Sequence, residues 1–333
     1  MKKLLIGLCV LLLGFSTLTC VAEPARRFLP NPEIERFIEE QHAQHGYNKK
    51  ALRSWFNQAT VQESALRAMG KQAEAKPWYD YQPIFLNPAR IEGGVAFWNK
   101  HKETLERAEA TYGVPAEIIV AILGVETRYG TTCGTYPVFD SLATLAFFYP
   151  KRAAFFKKEL ENYLHLVHAY HWDPLAIKGS FTGAMGTPQF MPSSYRKFAV
   201  DFSGKAAYDL INDPADAIGS VANYFAEHGW KRDREIVIAA TLKRSPQLPN
   251  DRKLTTQYTV AQVKSFGLVP QGQTSAQKFS IIELQAQNTK EYWLGTDNFY
   301  VITRYNHSQN YAMAVTQLAQ KIRNEVALQK NKG

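Results

Sequence analysis

The chain has 333 residues, of which 45% are hydrophobic, 21% charged and 13% aromatic. That composition provides for a large core and excludes a mainly disordered or fibrous protein. The formal net charge of +9 suits an anionic polymer, whether nucleic acid, anionic lipid or cell wall, and does not choose among them.

The amino terminus has the pattern of a secretory signal peptide. Lys2-Lys3 precede the apolar run Leu4–Phe15, and small and polar residues follow. Because the run is short for a membrane span, we expect residues 1–22 to be removed on export. The alternative is a lipid anchor on Cys20, although the three residues before it form a poor lipobox.

Helical spacing of apolar residues dominates the first two thirds of the chain. The aromatic stretch Pro77–Pro88 is broken by proline and is predicted to be a connection, and Gly113-Val114-Pro115 separates two helices. Helical patterns cover residues 31–69, 91–112, 118–125, 141–148, 151–170, 193–198 and 213–228.

The pattern changes after about Arg234. Short strands and turns are predicted at 248–250, 255–260, 267–270, 279–284 and 299–303, followed by a helix from Tyr311 to near Lys330. The predicted fold is therefore mainly α (α+β), with one smaller β-containing insertion.

Glu126 is the sharpest chemical feature of the sequence. It follows a run, 118–125, that is apolar on every face and too short for a membrane, which is typical of a core helix. Desolvation and the negative end of the helix dipole both raise the pKa of a carboxyl there, as a general acid requires. The alternative is a glutamate that pairs with a buried arginine or lies exposed past the helix.

A glycine-rich segment, Gly179–Tyr195, is the second candidate. Its glycines allow backbone to approach a ligand closely, Ser180 and Gln189 offer hydrogen-bonding groups, and Phe181 and Phe190 offer apolar surface. Sugar rings need that mixture. The alternative is a packed loop between two helices.

A third segment, Thr303–Met313, is polar and aromatic at a junction before the last helix, where Ser308 could act as its cap. Two other candidates are weaker. Once residues 1–22 are removed, Cys133 is the one cysteine that remains in the sequence. It is predicted to be a small buried thiol rather than a nucleophile. His165, His168 and His171 drift round a helix, so no zinc site is predicted from them.

Together these segments resemble the lytic murein transglycosylase B family of bacterial peptidoglycan-cleaving enzymes. The resemblance covers nearly all of the exported chain, in order. The matching residues are Gly124–Gly130, Lys178–Phe181, Gly183–Gly186, Gln189–Tyr195, Asp216–Phe225, Thr303–Asn306 and Tyr311–Met313.

The resemblance implies a lysozyme-like helical core with a larger helical domain and a small β-containing domain. The corresponding segments are a signal peptide (1–22), an N-terminal helical region (23–95), a catalytic core (96–235), a β-containing domain (236–304) and a C-terminal helix (305–333). Glu126 is implied to be the sole catalytic carboxylate. The implied sugar-binding residues are Tyr81, Ser180, Gln189, Tyr224, Tyr305, Asn306 and Tyr311.

The implied reaction cleaves the β-1,4 bond between N-acetylmuramic acid and N-acetylglucosamine and leaves a 1,6-anhydromuramic end without using water. Peptidoglycan glycan strands are the expected partner, with cell-wall synthesis or division proteins as further candidates, and no nucleic acid. A monomer without a required cofactor is expected. The alternative is a catalytically inactive, exported peptidoglycan-binding protein.

Calcium is the point at which the sequence departs from the family, whose members often carry an EF-hand-like loop. Asp201, Ser203 and Asp216 could still be ligands. Lys205, however, stands where an acid would help, and Ala206 replaces the usual turn glycine. The sequence therefore leaves calcium binding in doubt.

Overall fold

The computed structural model describes residues 26–70 and 76–331. The predicted signal peptide and the lipidation of Cys20 lie outside the described residues. Within them the chain is mainly α-helical with a small antiparallel sheet, which confirms the predicted fold class.

Helices and strands follow one another in three blocks, helical, β-rich and helical again. The helices are α1 (Pro32–His45), α2 (Lys49–Gln58), α3 (Glu63–Gly70), α4 (Trp78–Phe85), α5 (Pro88–Lys100), α6 (Lys102–Tyr112), α7 (Ala116–Thr127), α8 (Val138–Phe148), α9 (Ala153–Tyr170), α10 (Pro192–Phe198), α11 (Pro214–Glu227), α12 (Val260–Ser265), α13 (Asp297–Tyr305) and α14 (Gln309–Lys330). The strands are β1 (Tyr136–Pro137), β2 (Lys178–Gly179), β3 (Val237–Leu242), β4 (Tyr258–Thr259), β5 (Leu268–Pro270), β6 (Lys278–Gln285) and β7 (Lys290–Gly295).

Helix α7 lies inside the helical core. Every residue from Ile118 to Val125 is buried, and the helix packs against α5, α6, α11 and α14. A helix that is apolar on all faces gains the full benefit of burial only when other helices surround it. The predicted core helix is confirmed, and it places Glu126 one residue before its end.

The five-stranded sheet is antiparallel, with the strand order β4-β6-β7-β3-β5. Strands β6 and β7 form a hairpin in which Ile281 pairs with Leu294. The sheet buries a small core of its own, formed by Ile238, Val263, Leu268, Phe279, Ile281, Tyr292 and Leu294.

The strand predicted at 299–303 is wrong, because these residues lie in α13. The run is β-branched and aromatic, which favours a strand locally. In the structure Phe299 and Ile302 are both buried, and their spacing of three residues puts them on one face of the helix. The side-chain amide of Asn298 also donates a hydrogen bond to the carbonyl of Lys231. Tertiary packing at helical spacing therefore overrides the local preference.

Two further differences concern the helical region. The predicted connection Pro77–Pro88 contains α4, whose Trp78 is buried; Pro83 within it removes only one intrahelical hydrogen bond. The single helix predicted over 91–112 is two helices, which meet at His101. Both differences are local and leave the order of the elements unchanged.

In the described ranges no single helix is both long and apolar enough to cross a membrane. Helices α6 and α7 reach that length only as a pair, and a bend of 114° separates them.

Candidate active site

The carboxyl group of Glu126 lies where α7 meets α14. Tyr311, in the first turn of α14, donates a hydrogen bond from Oη to Glu126 Oε1 at 2.6 Å. Ser308 caps α14 as expected, since its hydroxyl accepts from the backbone N–H of Tyr311. The cap therefore fixes the turn that presents the tyrosine to the glutamate.

The surroundings of Glu126 change its acidity. Burial raises the pKa of Glu126 to about 7, against the opposing effect of the Tyr311 hydrogen bond. The residue as a whole nevertheless keeps partial exposure. Burial and the negative charge of Glu126 both hold the pKa of Tyr311 well above its ordinary value, so the phenol stays protonated and remains the donor. The carboxyl is therefore a weak acid, a large fraction of which keeps its proton at neutral pH.

The end of α7 is fixed by contacts that the sequence did not suggest. Arg128 adopts the left-handed conformation, with φ 51°, and the N–H of Tyr129 donates to Leu123 O, six residues back, at 3.0 Å. The buried guanidinium of Arg90 donates to Gly124 O, and Tyr129 Oη donates to Arg90 O at 2.6 Å. No signal in the sequence links Arg90 to α7, because the contact joins two helices that are distant along the chain.

Tyr224 and Tyr305 stand beside Tyr311 in an aromatic group. The rings of Tyr305 and Tyr311 are stacked with centroids 6.5 Å apart, and Tyr224 meets Tyr305 edge to face at 4.9 Å. Their hydroxyls donate to backbone carbonyls: Tyr305 to Pro188 at 2.5 Å and Tyr224 to Arg304 at 2.7 Å. These phenols therefore tie the glycine-rich segment and α13 together around Glu126.

Ser180 and Gln189 both shape the glycine-rich segment itself. Ser180 Oγ accepts from the backbone N–H of Ala184 at 3.0 Å and closes a turn. Gln189 has the left-handed φ of 50°, and its Nε2 donates to Cys133 O and to Gly186 O, both at 3.0 Å. Since both amide hydrogens are used, its Oε1 is the atom that can accept from a sugar hydroxyl.

Cys133 itself is only partly buried. Burial raises the pKa of its thiol, although a hydrogen bond with Thr187 opposes the rise. A raised pKa disfavours the thiolate that a nucleophile needs.

Tyr81 and Asn306 complete the set of predicted sugar-binding residues. Burial and the nearby negative charge of Glu126 raise the pKa of Tyr81, which places this phenol within electrostatic reach of the carboxyl. Asn306 follows α13 in an extended conformation and is exposed. All seven predicted positions thus lie on α4, the glycine-rich segment, α11, or the α13–α14 junction.

The three predicted calcium ligands lie in the loop after α10, which holds Asp201 and Ser203, and in the first turn of α11, which holds Asp216. Asp216 is fully buried, and its carboxylate accepts from the backbone N–H groups of Phe202, Ser203 and Asp209 at 2.7–2.8 Å. Asp201 accepts from four further groups of the same loop.

Lys205 lies inside this loop, where its ammonium pairs with Asp213 at 2.7 Å. Ala206, at the position of the usual turn glycine, has the left-handed φ of 64°. These hydrogen bonds and the adjacent ammonium leave few free oxygen atoms in the loop, whereas a calcium ion needs several oxygen ligands.

Comparison with known proteins identifies the family. A protein-family model described as the transglycosylase SLT domain matches residues 30–320 of this chain. The chain is 45% identical over 306 residues to the membrane-bound lytic murein transglycosylase B of Escherichia coli (strain K12), covering 89% of this chain and 84% of that protein.

Solved structures agree with that assignment. The E. coli lytic transglycosylase Slt35 in complex with calcium is 45% identical, with a TM-score of 0.85 over 90% of this chain and 95% of that chain. SltB3 from Pseudomonas aeruginosa, in complex with NAG-anhNAM-pentapeptide, is 28% identical, with a TM-score of 0.75 over 87% of this chain and 79% of that chain. The chain belongs to the lytic murein transglycosylase family.

Proposed function

We propose that Glu126 performs the whole of the acid–base chemistry in a peptidoglycan lytic transglycosylase. Family membership makes the chain a lytic transglycosylase. The observation that supports the role of Glu126 is its carboxyl, which burial makes a weak acid and which Tyr311 orients. A pKa of about 7 lets one group both give and accept a proton near neutral pH.

The reaction runs in two steps. Protonated Glu126 gives its proton to the glycosidic oxygen as the bond to C1 of N-acetylmuramic acid breaks, and the acetamido group of that sugar stabilises the positive charge at C1. Ionised Glu126 then takes the proton of the C6 hydroxyl while the C6 oxygen forms a bond to C1. The ring closes to the 1,6-anhydro sugar, and the carboxyl is protonated again.

A single carboxylate suffices because the substrate supplies the nucleophile. Glycosidases that use water or a covalent intermediate need a second carboxylate close to the first. Burial raises the pKa of Glu126 and Tyr311 opposes the rise, with no contribution from another carboxylate of residues 26–70 and 76–331. The C6 hydroxyl belongs to the same sugar as C1, so its attack gains the advantage of an intramolecular reaction.

Product analysis in isotopically labelled water tests the reaction. Purified sacculi are digested in H₂¹⁸O, and the released fragments are weighed by mass spectrometry. We expect anhydro ends without ¹⁸O, because no water enters the bond that forms. Reducing ends that carry ¹⁸O would make the enzyme a hydrolase and overturn the proposal.

Tyr311→Phe tests the control of acidity by a shift in pH dependence. The protonated acid is the active form for the first step, so kcat/KM falls as the pH rises through about 7 in the wild type. Without the hydroxyl, ionised Glu126 loses a charge-assisted hydrogen bond of about 1.5–3 kcal/mol, so its pKa rises by about 1–2 units. We expect the alkaline limb of the pH profile of kcat/KM to move to higher pH by that amount.

Tyr305→Phe is the matched control, since that hydroxyl donates to Pro188 O rather than to Glu126. Its alkaline limb is expected to stay at the wild-type pH, whatever happens to its rate. A limb that moves in Tyr305→Phe and not in Tyr311→Phe would contradict the assigned hydrogen bond.

The loop that contains Asp201, closed by Asp216 from the first turn of α11, is proposed to hold its shape without calcium. The ammonium of Lys205 supplies a positive charge next to Asp213, and backbone N–H groups satisfy the other two carboxylates. We expect the Tm to be the same in CaCl₂ and in EDTA, to within about 1 °C. A Tm that rises by several degrees with CaCl₂ would show that the ion binds and stabilises the fold.

We propose the periplasm as the place of action, with glycan strands of peptidoglycan as the substrate. The relatives are lytic murein transglycosylases, one membrane-bound by name, and the sequence begins with a pattern typical of an exported protein. Mass spectrometry of the mature amino terminus distinguishes cleavage after Ala22 from a lipid on Cys20.

A further inference from the structure

A cluster of three potential metal ligands lies on the N-terminal helices. His45 is the last residue of α1, while Glu161 and His165 are four residues apart on α9 and so share one face of that helix. The ligand atoms of the three side chains lie within 4.8 Å of one another. The sequence grouped His165 with the other histidines of its own helix, whereas its structural partner comes from α1.

We propose that His45, Glu161 and His165 bind one divalent transition-metal ion, with Zn²⁺ the best match to these donors. Tetrahedral zinc with bonds of about 2.0–2.2 Å holds its ligand atoms about 3.3–3.6 Å apart. His45 Nε2 and Glu161 Oε1 are 3.4 Å apart. Two imidazoles and one carboxylate leave one coordination position for water.

The environment of the two imidazoles supports the site. Tyr47 Oη is hydrogen-bonded to His165 Nδ1 at 2.7 Å, which fixes the ring and leaves Nε2 to act as a ligand. His45 Nε2 is buried and lies 3.4 Å from Glu161 Oε1 without forming a hydrogen bond, so an ion held between the two atoms would give the nitrogen a partner. His45 also ends α1, where the helix dipole favours positive charge.

Two cations oppose an incoming ion. The ammonium of Lys158 lies 2.8 Å from Glu161 Oε1, but this side chain is 67% exposed and can turn into solvent. Arg196 donates to Asn162 Oδ1 at 2.6 Å, which holds its guanidinium in place. A cavity of about 610 Å³ adjoins His45 and Tyr47.

Titration of the untagged, metal-free chain with ZnCl₂ in a calorimeter tests the site. We expect one Zn²⁺ per chain, and a Kd weakened by on the order of 100-fold in each of His45→Gln and His165→Gln. His168→Gln is the matched control, because His168 is exposed on α9 beside Tyr47 and is not one of the three ligands. It is expected to bind Zn²⁺ as the wild type does.

Two further measurements keep the result unambiguous. The Tm of each metal-free variant shows whether it folds. With Co²⁺ in place of Zn²⁺, we expect the absorption band of a tetrahedral site in the wild type and in His168→Gln. His165→Gln should lack this band. Absence of Zn²⁺ binding by the wild type would overturn the proposal. So would binding that both ligand variants retain, or that His168→Gln loses equally.

Discussion

Replacement of Glu126 by Gln is expected to lower kcat on purified sacculi by at least about 10³-fold, since the amide can neither give nor accept the proton in either step. The fold should survive, because Gln matches the neutral acid in shape and can still accept from Tyr311. Glu117→Gln is the matched control. Glu117 lies on the same helix, at its opposite end, and pairs with Arg323 at the surface. Its variant should keep wild-type activity.

Although Glu126→Gln should lose activity, it should be more stable than the wild type at alkaline pH. The folded state raises the pKa of Glu126 from 4.5 to about 7, so it holds a proton that the unfolded chain releases. The wild type therefore loses stability as the pH rises through this interval, up to about 3 kcal/mol at pH 8. Gln does not titrate, so Glu126→Gln should unfold at higher urea than the wild type at pH 8, and the advantage should vanish below pH 4.5.

Either of two results would contradict this reasoning. One is activity of Glu126→Gln within about tenfold of the wild type, which would remove the assigned acid. The other is equal unfolding free energies of the two proteins at pH 8, which would mean that burial does not raise the pKa of this carboxyl.

Gly179→Ala is expected to have the second largest effect, on both rate and stability. An added Cβ would lie 2.2 Å from Ala184 O, the same backbone oxygen that accepts from the N–H of Ser180 at 2.8 Å. Because backbone must move to relieve that contact, the turn that carries Ser180 is displaced. We expect kcat/KM to fall by about 10²-fold and the free energy of unfolding by about 1–3 kcal/mol.

Gly272→Ala separates displacement of the turn from a general loss of stability. Gly272 has a φ of 96°, so alanine is strained there by about 1–2 kcal/mol, but apart from its chain neighbours no described residue has an atom within 4 Å of the added Cβ. It should be destabilised to a similar extent and remain active. Equal activity of Gly179→Ala and Gly272→Ala, assayed where both are folded, would mean that the turn does not position substrate.

The sequence predicted those parts of the fold in which local pattern and burial agree. The run 118–125 can satisfy its apolar faces only inside a core, and it forms that core in α7. The residues 299–303 were predicted wrongly because their preference for a strand is local, while the packing of Phe299 and Ile302 is tertiary. Strand β3 was not predicted at all, since its pairing with β5 and β7 spans more than 25 residues.

Some features of the candidate site could likewise be predicted from the sequence, and others could not. The position of Glu126 at a helix end follows from the chain itself, and so does the glycine-rich segment beside it. The partner of its carboxyl, Tyr311, lies 185 residues further along the chain, so only family resemblance or a structure could bring the two together. Arg90 and the pairing of His45 with Glu161 are contacts between separate helices, for which no spacing rule exists.

Titration of Glu126 itself is the most direct test of the central claim, that one shielded carboxyl serves as both acid and base. Glutamate labelled with ¹³C at the carboxyl carbon reports ionisation by NMR, and the resonance missing from Glu126→Gln assigns the residue. We predict a pKa of about 7 for this carboxyl in the free enzyme. A pKa at or below the ordinary 4.5 would leave the group ionised at neutral pH, without the proton that the first step requires.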